Sequence, residues 1–408
     1  MRASPSRLPD GLQSRLGARH RPMGAPPAAM AGIGRLTRAV VLWGTAWTST
    51  AGVSPLDAQP SEVAMLCKRR LSPVLRELLE ERDPITTLHD LQVAVQRHAT
   101  RLVGHALGVE MAARPALEAL REAGIDVMVM KGPAVARFHQ SPSTRSWTDV
   151  DLLVHPRRFS AAMSVLRSLG YVRSAESQQP WEWFDRVCLE GVNVDAGPLR
   201  ALDLHHRVSP WALTLRLGAD PLFARSTEGA VAGVPIRFPS AEDCLVIAAL
   251  HVTNDLWKAD PSLVSWRDVA VLTGSLGREG TDRAFTQAGL QWFGEVVWRS
   301  VVSIAGGPLD PQSDPSPWGT WMQRRRVQLL GWDGDTFVAR HPLGWVVRLP
   351  PSRALAFVAG HAVPSPSYAR GKHGGYRRYW RASAASLVAA GRGVDFRKVP
   401  VAPRHQER

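Results

Sequence analysis

The sequence predicts an α+β protein in which a mixed β-sheet is preceded by helices and followed by a second helical region. Short apolar runs of strand length cluster between residues 125 and 238. Apolar residues recur at helical spacing before this segment, over 61–124, and after it, over 239–310. With 408 residues and 45% apolar content, the chain can bury the cores of two or three domains.

The segment 1–60 is expected to be a disordered tail, or a product of a start site assigned too far upstream of Met30. Its first 30 residues are rich in Pro, Ala, Arg and Gly and lack hydrophobic periodicity. The apolar run over 39–47 is only faintly like a signal peptide, because Gly44 and Thr45 interrupt it. No stretch reaches the length of a membrane span. We therefore expect a cytoplasmic protein with no membrane partner.

Three helices are expected in the segment 61–124. The first spans 61–81, with Ser61 as N-cap and Asp83-Pro84 as the break that follows it. The second spans 89–107. The third spans 111–123, and Gly124 ends it in the manner of a helix C-cap.

Strands are expected near residues 127, 150, 171, 186, 194 and 204, which is enough for a mixed sheet. A helix is expected over 156–169, opened by Pro156 and closed by Gly170. The segments 183–189 and 192–194 flank Gly191 and are predicted to form a hairpin. A last short strand is expected over 234–238.

The region 239–310 is predicted to be helical, with one helix starting at the N-cap Ser240 and a second over 263–276. A segment rich in Pro, Ser and Asp over 310–317 leads into a C-terminal extension, 311–408, with a basic tail. Its aromatic and arginine run over 376–380 could stack on bases. We expect this run to pack on the body instead.

The net charge of +14 is concentrated in the two tails. Residues 1–60 contain seven Arg against two Asp, and residues 361–408 contain ten Lys or Arg against two acids. The middle of the chain is therefore nearly neutral, which argues against a nucleic-acid footprint there. The three cysteines, Cys67, Cys188 and Cys244, have no zinc-ligand spacing and indicate a reducing compartment.

The most informative stretch of the sequence runs over 127–154. A buried strand ends at Lys131-Gly132, where glycine allows the backbone to approach a ligand closely. Asp149 and Asp151 then share one face of a second strand, because alternate side chains point the same way. Two adjacent carboxylates favour a divalent cation with oxygen ligands, such as Mg²⁺. The alternative is a solvated strand end, where two acids are harmless.

A third candidate carboxylate follows about fifty residues later. Asp203 lies between two leucines in a strand-like run that continues into His205 and His206. Asp195 is a rival, but Ala-Gly-Pro follows it and favours a turn. Asp203 is therefore the preferred third acid.

Taken together, these motifs resemble the polymerase-beta-like nucleotidyltransferase superfamily. They are most similar to the uncharacterised bacterial nucleotidyltransferase family proteins, which carry L-K-G, then R-x-x-x-D-x-D-L-L-V, then D-L-H-W. The corresponding residues here are 130–132, 145–154 and 203–206, and the resemblance covers about residues 60 to 380. Two departures from the superfamily are Lys131, in place of a second small residue, and the longer gap to Asp149.

The resemblance implies a metal site and a phosphate site in a catalytic domain over 125–238. Metal ligands and catalytic residues would be Asp149, Asp151 and Asp203, holding Mg²⁺ or Mn²⁺. Asp203 would join the second metal or act as general base. Residues facing the nucleotide phosphates would be Lys131, Gly132 and Arg145. Lysine is unusual in this chain, since it accounts for 5 of the 50 basic residues, and a compact ammonium suits phosphate.

The resemblance extends to a helix with a histidine, His251, followed by a helix with a W-x-D motif at Trp266 and Asp268. His251, one turn before Asp255, could help to place the acceptor or the nucleotide base. The alternative is a polar stripe at a domain interface.

The implied activity is Mg²⁺-dependent transfer of a nucleoside monophosphate from a nucleoside triphosphate, such as ATP, to a hydroxyl group. A small-molecule acceptor is favoured, because the middle of the chain is nearly neutral. Modification of an antibiotic-like small molecule is an alternative enzyme activity. The alternatives are transfer to RNA or tRNA by an enzyme of toxin–antitoxin type, and a degenerate fold that only binds nucleotides.

Overall fold

A mixed sheet of seven strands lies at the centre of the part of the chain that the structure describes. The structure is a computed structural model, and it describes residues 35–47, 60–80, 89–174, 183–209, 217–255, 262–305 and 349–391. The strand order is β3-β4-β5-β2-β1-β7-β6, in which β1–β7 and β2–β5 are parallel and the other pairs antiparallel. The strands are β1 Val127–Val129, β2 Val150–Val154, β3 Val172–Arg173, β4 Gly191–Asp195, β5 Ala201–His205, β6 Thr227–Val231 and β7 Val234–Phe238.

Helices flank the sheet and form the regions before and after it, so the predicted α+β class is confirmed. No described helix combines the length and apolar character needed to cross a membrane. The helices are α1 Arg35–Leu42, α2 Pro60–Lys68, α3 Ser72–Glu80, α4 His89–Glu122, α5 Pro133–Ala136, α6 Phe159–Ser168, α7 Phe184–Val187, α8 Ala219–Ala224, α9 Ala241–Asp255, α10 Leu263–Gln287, α11 Gln291–Ile304, α12 Pro351–Ala362, α13 Pro366–His373 and α14 Tyr376–Gly391.

The two faces of the sheet belong to two separate hydrophobic cores. Val150, Leu152 and Val154 alternate along β2 and pack in one core with α4 and α6. Leu153 points the other way and packs in a second core with α1 to α3 and α9 to α11. Asp151, two positions from Leu153, therefore lies on the face turned toward the helical regions.

The expectation of a disordered or extraneous segment over 1–60 is wrong for residues 35–47. Helix α1 lies in the core, where Val40, Val41 and Leu42 are fully buried. The run that faintly suggested a signal peptide is apolar because it packs against α10, and the buried guanidinium of Arg267 binds the carbonyls at its end. The described part of this segment is therefore structural.

Two predicted helix boundaries in 61–124 are also wrong. The single helix expected over 61–81 is two helices, because α2 ends at Lys68 and Arg70 takes a left-handed backbone conformation (φ 61°). The two helices expected over 89–107 and 111–123 are one, α4. Gly108 lies inside this helix, and Leu199 packs against it so closely that a Cβ at Gly108 would stand 3.0 Å from Leu199 Cδ1.

The strand expected near 186, and with it the hairpin about Gly191, is wrong. Residues 184–187 form α7, since a short apolar run fits a buried helical turn as well as a strand. The hairpin is β4–β5, with Asp195 paired with Ala201 as the last residue of β4 rather than in the turn. Strand β6 was not predicted, because it is an edge strand whose first four residues are exposed.

The C-terminal helices pack on the sheet domain through α7. Phe184 lies 5.3 Å from Phe357 and 5.1 Å from His361, measured between ring centroids. Within 376–380, Tyr379 is buried and its hydroxyl donates to the His361 carbonyl, whereas Tyr376 and Trp380 are exposed. Tyr379 therefore packs among the C-terminal helices, and packing of the 376–380 run on the body itself stays a prediction. The linker over 310–317 lies outside the described residues.

Replacing Arg267 should destabilise the fold, because its guanidinium satisfies the carbonyls of Val40, Val41 and Trp43 in the core. Arg267→Met leaves those acceptors without a donor, and we expect the free energy of unfolding to fall by about 3 kcal/mol. Urea unfolding measures this. Arg114→Met is the control, since Arg114 is 51% exposed beside Glu118 and should change stability by about 0.5 kcal/mol or less. Equal losses in the two variants would contradict the structural role of Arg267.

Candidate active site

Two of the three predicted carboxylates are brought together by the parallel pairing of β2 with β5. Asp151 is in register with Asp203, one strand apart, and their side chains share one face of the sheet. The sequence separates them by more than fifty residues, and only the strand pairing makes them neighbours.

Lys131 is held against Asp151 by the neighbouring strand. The Met130 amide donates to the Asp151 carbonyl at 3.1 Å and extends the β1–β2 ladder by one residue. Lys131 Nζ then lies 2.7 Å from Asp151 Oδ1, in a pair whose side chains are 19% and 9% exposed. Burial by itself raises the pKa of Asp151, but Lys131 and His205 outweigh it and lower that pKa well below its usual range.

His205 of β5 joins Asp151 and Asp203, and these three residues form the carboxylate cluster. Its Nε2 lies 3.0 Å from Asp203 Oδ2 and 3.3 Å from Asp151 Oδ1, although it is not aligned as a hydrogen bond to either oxygen. Burial by itself lowers the pKa of His205, but the Asp203 and Asp151 carboxylates outweigh it and raise that pKa to about 10. The next residue, His206, points to the opposite face and packs edge-on against Phe159.

Asp203 is oriented from its other side by Asn193 of β4, its partner in the ladder. With the amide nitrogen turned toward the carboxylate, Asn193 donates to Oδ1 at 2.7 Å and to Oδ2 at 3.0 Å. Two residues earlier, Gly191 pairs with His205, and a Cβ at Gly191 would collide with the Leu204 carbonyl and the His205 Cα. Strand β4 can approach β5 closely beside His205 because residue 191 is glycine.

Asp149 lies directly before β2, which begins at Val150, and so stands outside the strand that was expected to hold both Asp149 and Asp151. It is partly exposed. Burial, with the Asp151 carboxylate, raises the pKa of Asp149 to about 6, while Lys131 and Arg70 act in the opposite direction. The charges of the cluster thus act on Asp149, but it is not one of the three residues whose side chains meet.

The turn after Lys131 has a conformation that favours glycine. Gly132 has φ 48° and ψ −108°, and a Cβ there would stand 3.3 Å from the Cβ of Trp147. Gly132 is buried under Trp147. Here glycine lets the chain turn tightly beneath an indole, and this packing is a reason for glycine that the sequence did not reveal.

Arg145 does not join the carboxylate cluster but binds the helical region. Its Nε lies 2.9 and 3.0 Å from the two carboxylate oxygens of Asp268 on α10, and Nη1 donates to the Ser146 carbonyl. His139 Nε2 lies 3.1 Å from Asp268 Oδ1. Burial by itself raises the pKa of Asp268, but Arg145 and His139 outweigh it and lower that pKa. This buried network anchors the polar turn that leads into Asp149.

The residues of the cluster fit a divalent metal ion. One ligand atom from each of Asp151, Asp203 and His205 lies within 4.8 Å of the other two. Two carboxylate oxygens suit Mg²⁺, and an imidazole nitrogen is accepted more readily by Mn²⁺ and later transition metals. The two carboxylates would otherwise repel each other at this distance, and Lys131 offsets that repulsion.

Two residues of the site were not assigned a role from the motifs: Asn193 in β4 and His205 in β5. His205 could have been found from the D-L-H motif, because it follows Asp203 at the spacing of a shared strand face. Asn193 gave no signal, since its contact depends on the pairing of β4 with β5. His251 is partly buried in α9, and the side chain of Asp255 lies outside the described residues.

Comparisons with known proteins give one family match. A family model described as uncharacterised nucleotidyltransferase matches residues 59–291. No curated protein matches the chain. Among solved structures, the solution structure of the antibiotic-resistance factor ANT(2'')-Ia is 18% identical, with a TM-score of 0.32, and the match covers 43% of this chain and 89% of that one. A similarity of this size does not bear on the substrate.

The buried His139 should make stability depend on pH. Burial, with Arg267 and Arg145, lowers the pKa of His139 in spite of its contact with Asp268. Below the unfolded pKa of about 6.5, the unfolded chain therefore takes up a proton that the folded chain does not, and stability falls as pH falls. In His139→Gln the fall between pH 7 and pH 5 should be smaller, as measured by urea unfolding. An unchanged slope would contradict the lowered pKa.

Proposed function

Since the chain belongs to the uncharacterised nucleotidyltransferase family over residues 59–291 and is a nucleotidyltransferase, we propose a specific reaction for its carboxylate cluster. It transfers a nucleoside monophosphate from a nucleoside triphosphate to a hydroxyl group of a small molecule. The proposed catalytic unit is 125–238, supported by the helical region 239–310, and the proposed setting is the cytoplasm, where triphosphates are available.

The observation that carries the proposal is the register of Asp151 with Asp203 across the parallel pair β2–β5. It places two carboxylates and the His205 imidazole around one point, with the Lys131 ammonium at the edge. Carboxylates in a protein interior need positive charge beside them, and a divalent cation can supply it here together with Lys131. A divalent ion bound there would polarise the α-phosphate and bring the reacting groups into line.

In the proposed reaction, the acceptor oxygen attacks the α-phosphorus of the triphosphate. A new P–O bond forms, the bond between the α-phosphorus and its bridging oxygen breaks, and diphosphate leaves. The hydroxyl proton passes to a carboxylate of the cluster, and Asp203 serves either as this base or as a ligand of a second ion. Asn193 holds the Asp203 carboxylate in place for either role.

The proposed phosphate side of the site includes Lys131 and Gly132. Lys131 neutralises Asp151 before substrate binds, and its flexible stem can turn the ammonium toward a phosphate once Asp151 binds a cation. For Arg145 we propose a different role from the one expected from its motif. Because its guanidinium is bound to Asp268, Arg145 positions the turn before Asp149 instead of contacting phosphate.

Replacing either paired carboxylate should sharply reduce transfer, and urea unfolding of the same variants checks that they still fold. Asp151→Asn and Asp203→Asn keep the side-chain volume but lose the charge that holds the cation. We expect the rate to fall at least about a hundredfold, or about 3 kcal/mol. The assay incubates α-³²P-labelled ATP, CTP, GTP and UTP with Mg²⁺ or Mn²⁺ and a small-molecule extract of cells, and follows label transfer.

The matched control is Asp220→Asn. Asp220 also contacts a histidine, with its Oδ1 3.0 Å from His155 Nδ1, but it is 90% exposed and lies outside the cluster. Its variant should transfer label at the wild-type rate. Full activity of Asp151→Asn with either metal ion would overturn the proposed metal site.

A second candidate acceptor, RNA, is supported by the C-terminal helices. The sequence from 350 to 391 contains no acidic residue, and the arginines exposed there are accompanied by the exposed Tyr376 and Trp380. These helices are attached to α7, which directly precedes β4 of the cluster. The exposed arginines are Arg370, Arg377, Arg378 and Arg381.

An RNA-retention assay across a salt series separates the two acceptors. The small-molecule proposal expects little retention by the full chain at physiological salt. Tight retention would favour RNA if it weakens steeply with salt and is lost when Arg377, Arg378 and Arg381 are changed to Gln. The charge-matched control changes three exposed arginines of α4 to Gln, namely Arg97, Arg101 and Arg121. Deleting residues 1–60 is unsuitable, because α1 is part of the core.

A further inference from the structure

One residue outside the family motifs has a backbone conformation that its side chain does not favour. Two backbone hydrogen bonds that do not follow the α-helical spacing end helix α2. The Arg70 amide donates to the Cys67 carbonyl and the Leu71 amide donates to the Leu66 carbonyl, both at 3.0 Å. This is the Schellman arrangement, in which the residue at position 70 takes a left-handed conformation and is usually glycine. Arg70 has φ 61° there.

Among the described residues, two other non-glycine residues have positive φ, and both lie in turns between paired strands. Leu199 lies in the short turn between β4 and β5, and Ala232 in the turn between β6 and β7. Arg70 ends a helix, where glycine would serve the backbone better. A residue held in an unfavourable conformation is a reason to look for a function of its side chain.

The side chain of Arg70 reaches from the N-terminal helices to the residues that directly precede β2. Nη1 lies 3.3 Å from Thr148 Oγ1 and donates to it, and Thr148 directly precedes Asp149. Burial raises the pKa of Asp149, and the positive charge of the Arg70 guanidinium acts in the opposite direction. Arg70 thus places a positive charge on the side of the cluster where Thr148 is exposed and Asp149 partly exposed.

Of the two cations that the motifs indicated, only Lys131 is proposed to turn toward phosphate, because Arg145 stays bound to Asp268. Lys131 lies 2.7 Å from Asp151, and Arg145 binds both oxygens of Asp268. A triphosphate carries several negative charges beyond those that one metal ion neutralises. A guanidinium offers several N–H donors in a planar fork that matches phosphate oxygens.

We propose that Arg70 contacts the triphosphate of the nucleotide beside Asp149. This inference rests on the proposed nucleotidyl transfer and assigns part of its substrate site to the helices that precede the sheet. The segment before the sheet therefore contributes to binding as well as to the core. The left-handed conformation at the end of α2 directs the Arg70 side chain toward Thr148 and this side of the site.

The test uses Arg70→Gly, which should separate folding from binding. Glycine fits the left-handed position, so the midpoint of thermal unfolding should stay the same or rise by about 2 °C. Calorimetry with the α,β-methylene analogues of ATP, CTP, GTP and UTP, in the presence of Mg²⁺, should show affinity reduced at least about tenfold. Affinity for the corresponding nucleosides should not change. Arg70→Lys should lose part of the affinity, because the charge stays and the fork is lost.

Two controls isolate the contact. Ala232→Gly relieves the same left-handed backbone conformation in the turn between β6 and β7. These two strands form the edge of the sheet that is remote from β5, so triphosphate affinity should not change. Arg157→Gln removes an exposed positive charge beyond the far end of β2 and should also leave affinity unchanged.

The outcomes distinguish this inference from the function on which it rests. If the wild type binds an analogue and Asp151→Asn does not, but Arg70→Gly binds as the wild type does, the inference is overturned and the proposed function stands. A fall in the unfolding midpoint of Arg70→Gly, or equal losses for triphosphate and nucleoside, assigns Arg70 a structural role and also overturns it. Failure of the wild type to bind any of the four analogues overturns both.

Discussion

The parallel pairing of β2 with β5 is the constraint on which the rest of the site depends. It sets Asp151 beside Asp203 and fixes which face of the sheet holds the charged residues. Carboxylates placed this close repel each other, so the neighbouring elements supply positive charge and hydrogen-bond donors. Lys131 arrives from the end of β1, His205 from β5 itself, and the Asn193 amide from β4.

The helices around the sheet hold this arrangement in place through a small number of buried polar contacts. Asp268 on α10 binds Arg145 and His139, and so fixes the turn that leads into Asp149. The adjacent Arg267 points the other way and binds the carbonyls at the end of α1. Two consecutive residues of one helix thereby connect the N-terminal segment, the helical region and the site. Because unpaired buried charges are costly, these contacts couple local order at the site to the stability of the whole core.

Much of the fold could be predicted from periodicity, and the errors have physical causes. Strands β1, β2 and β5 were found because alternation and short apolar runs mark them clearly. The expected strand near residue 186 is the helix α7, because a run of four residues has too little periodicity to distinguish a helix from a strand. β6 was missed because an exposed edge strand has no apolar face to detect. α1 was assigned to a tail because its neighbourhood is rich in Pro, Ala and Arg, although its own apolar residues are buried.

The sequence by itself determined the candidate site residues: the Asp149-Val150-Asp151 pair, Asp203 and the Lys131-Gly132 turn are motifs that can be recognised within a few residues. The tertiary structure decided which of them meet and what their neighbours do. It placed Asp151, Asp203 and His205 together, committed Arg145 to Asp268, and brought Arg70 to the side of Asp149. The reason is that residue type and local alternation are short-range properties of the chain. A contact between residues twenty to two hundred positions apart exists only once strands have paired and helices have packed.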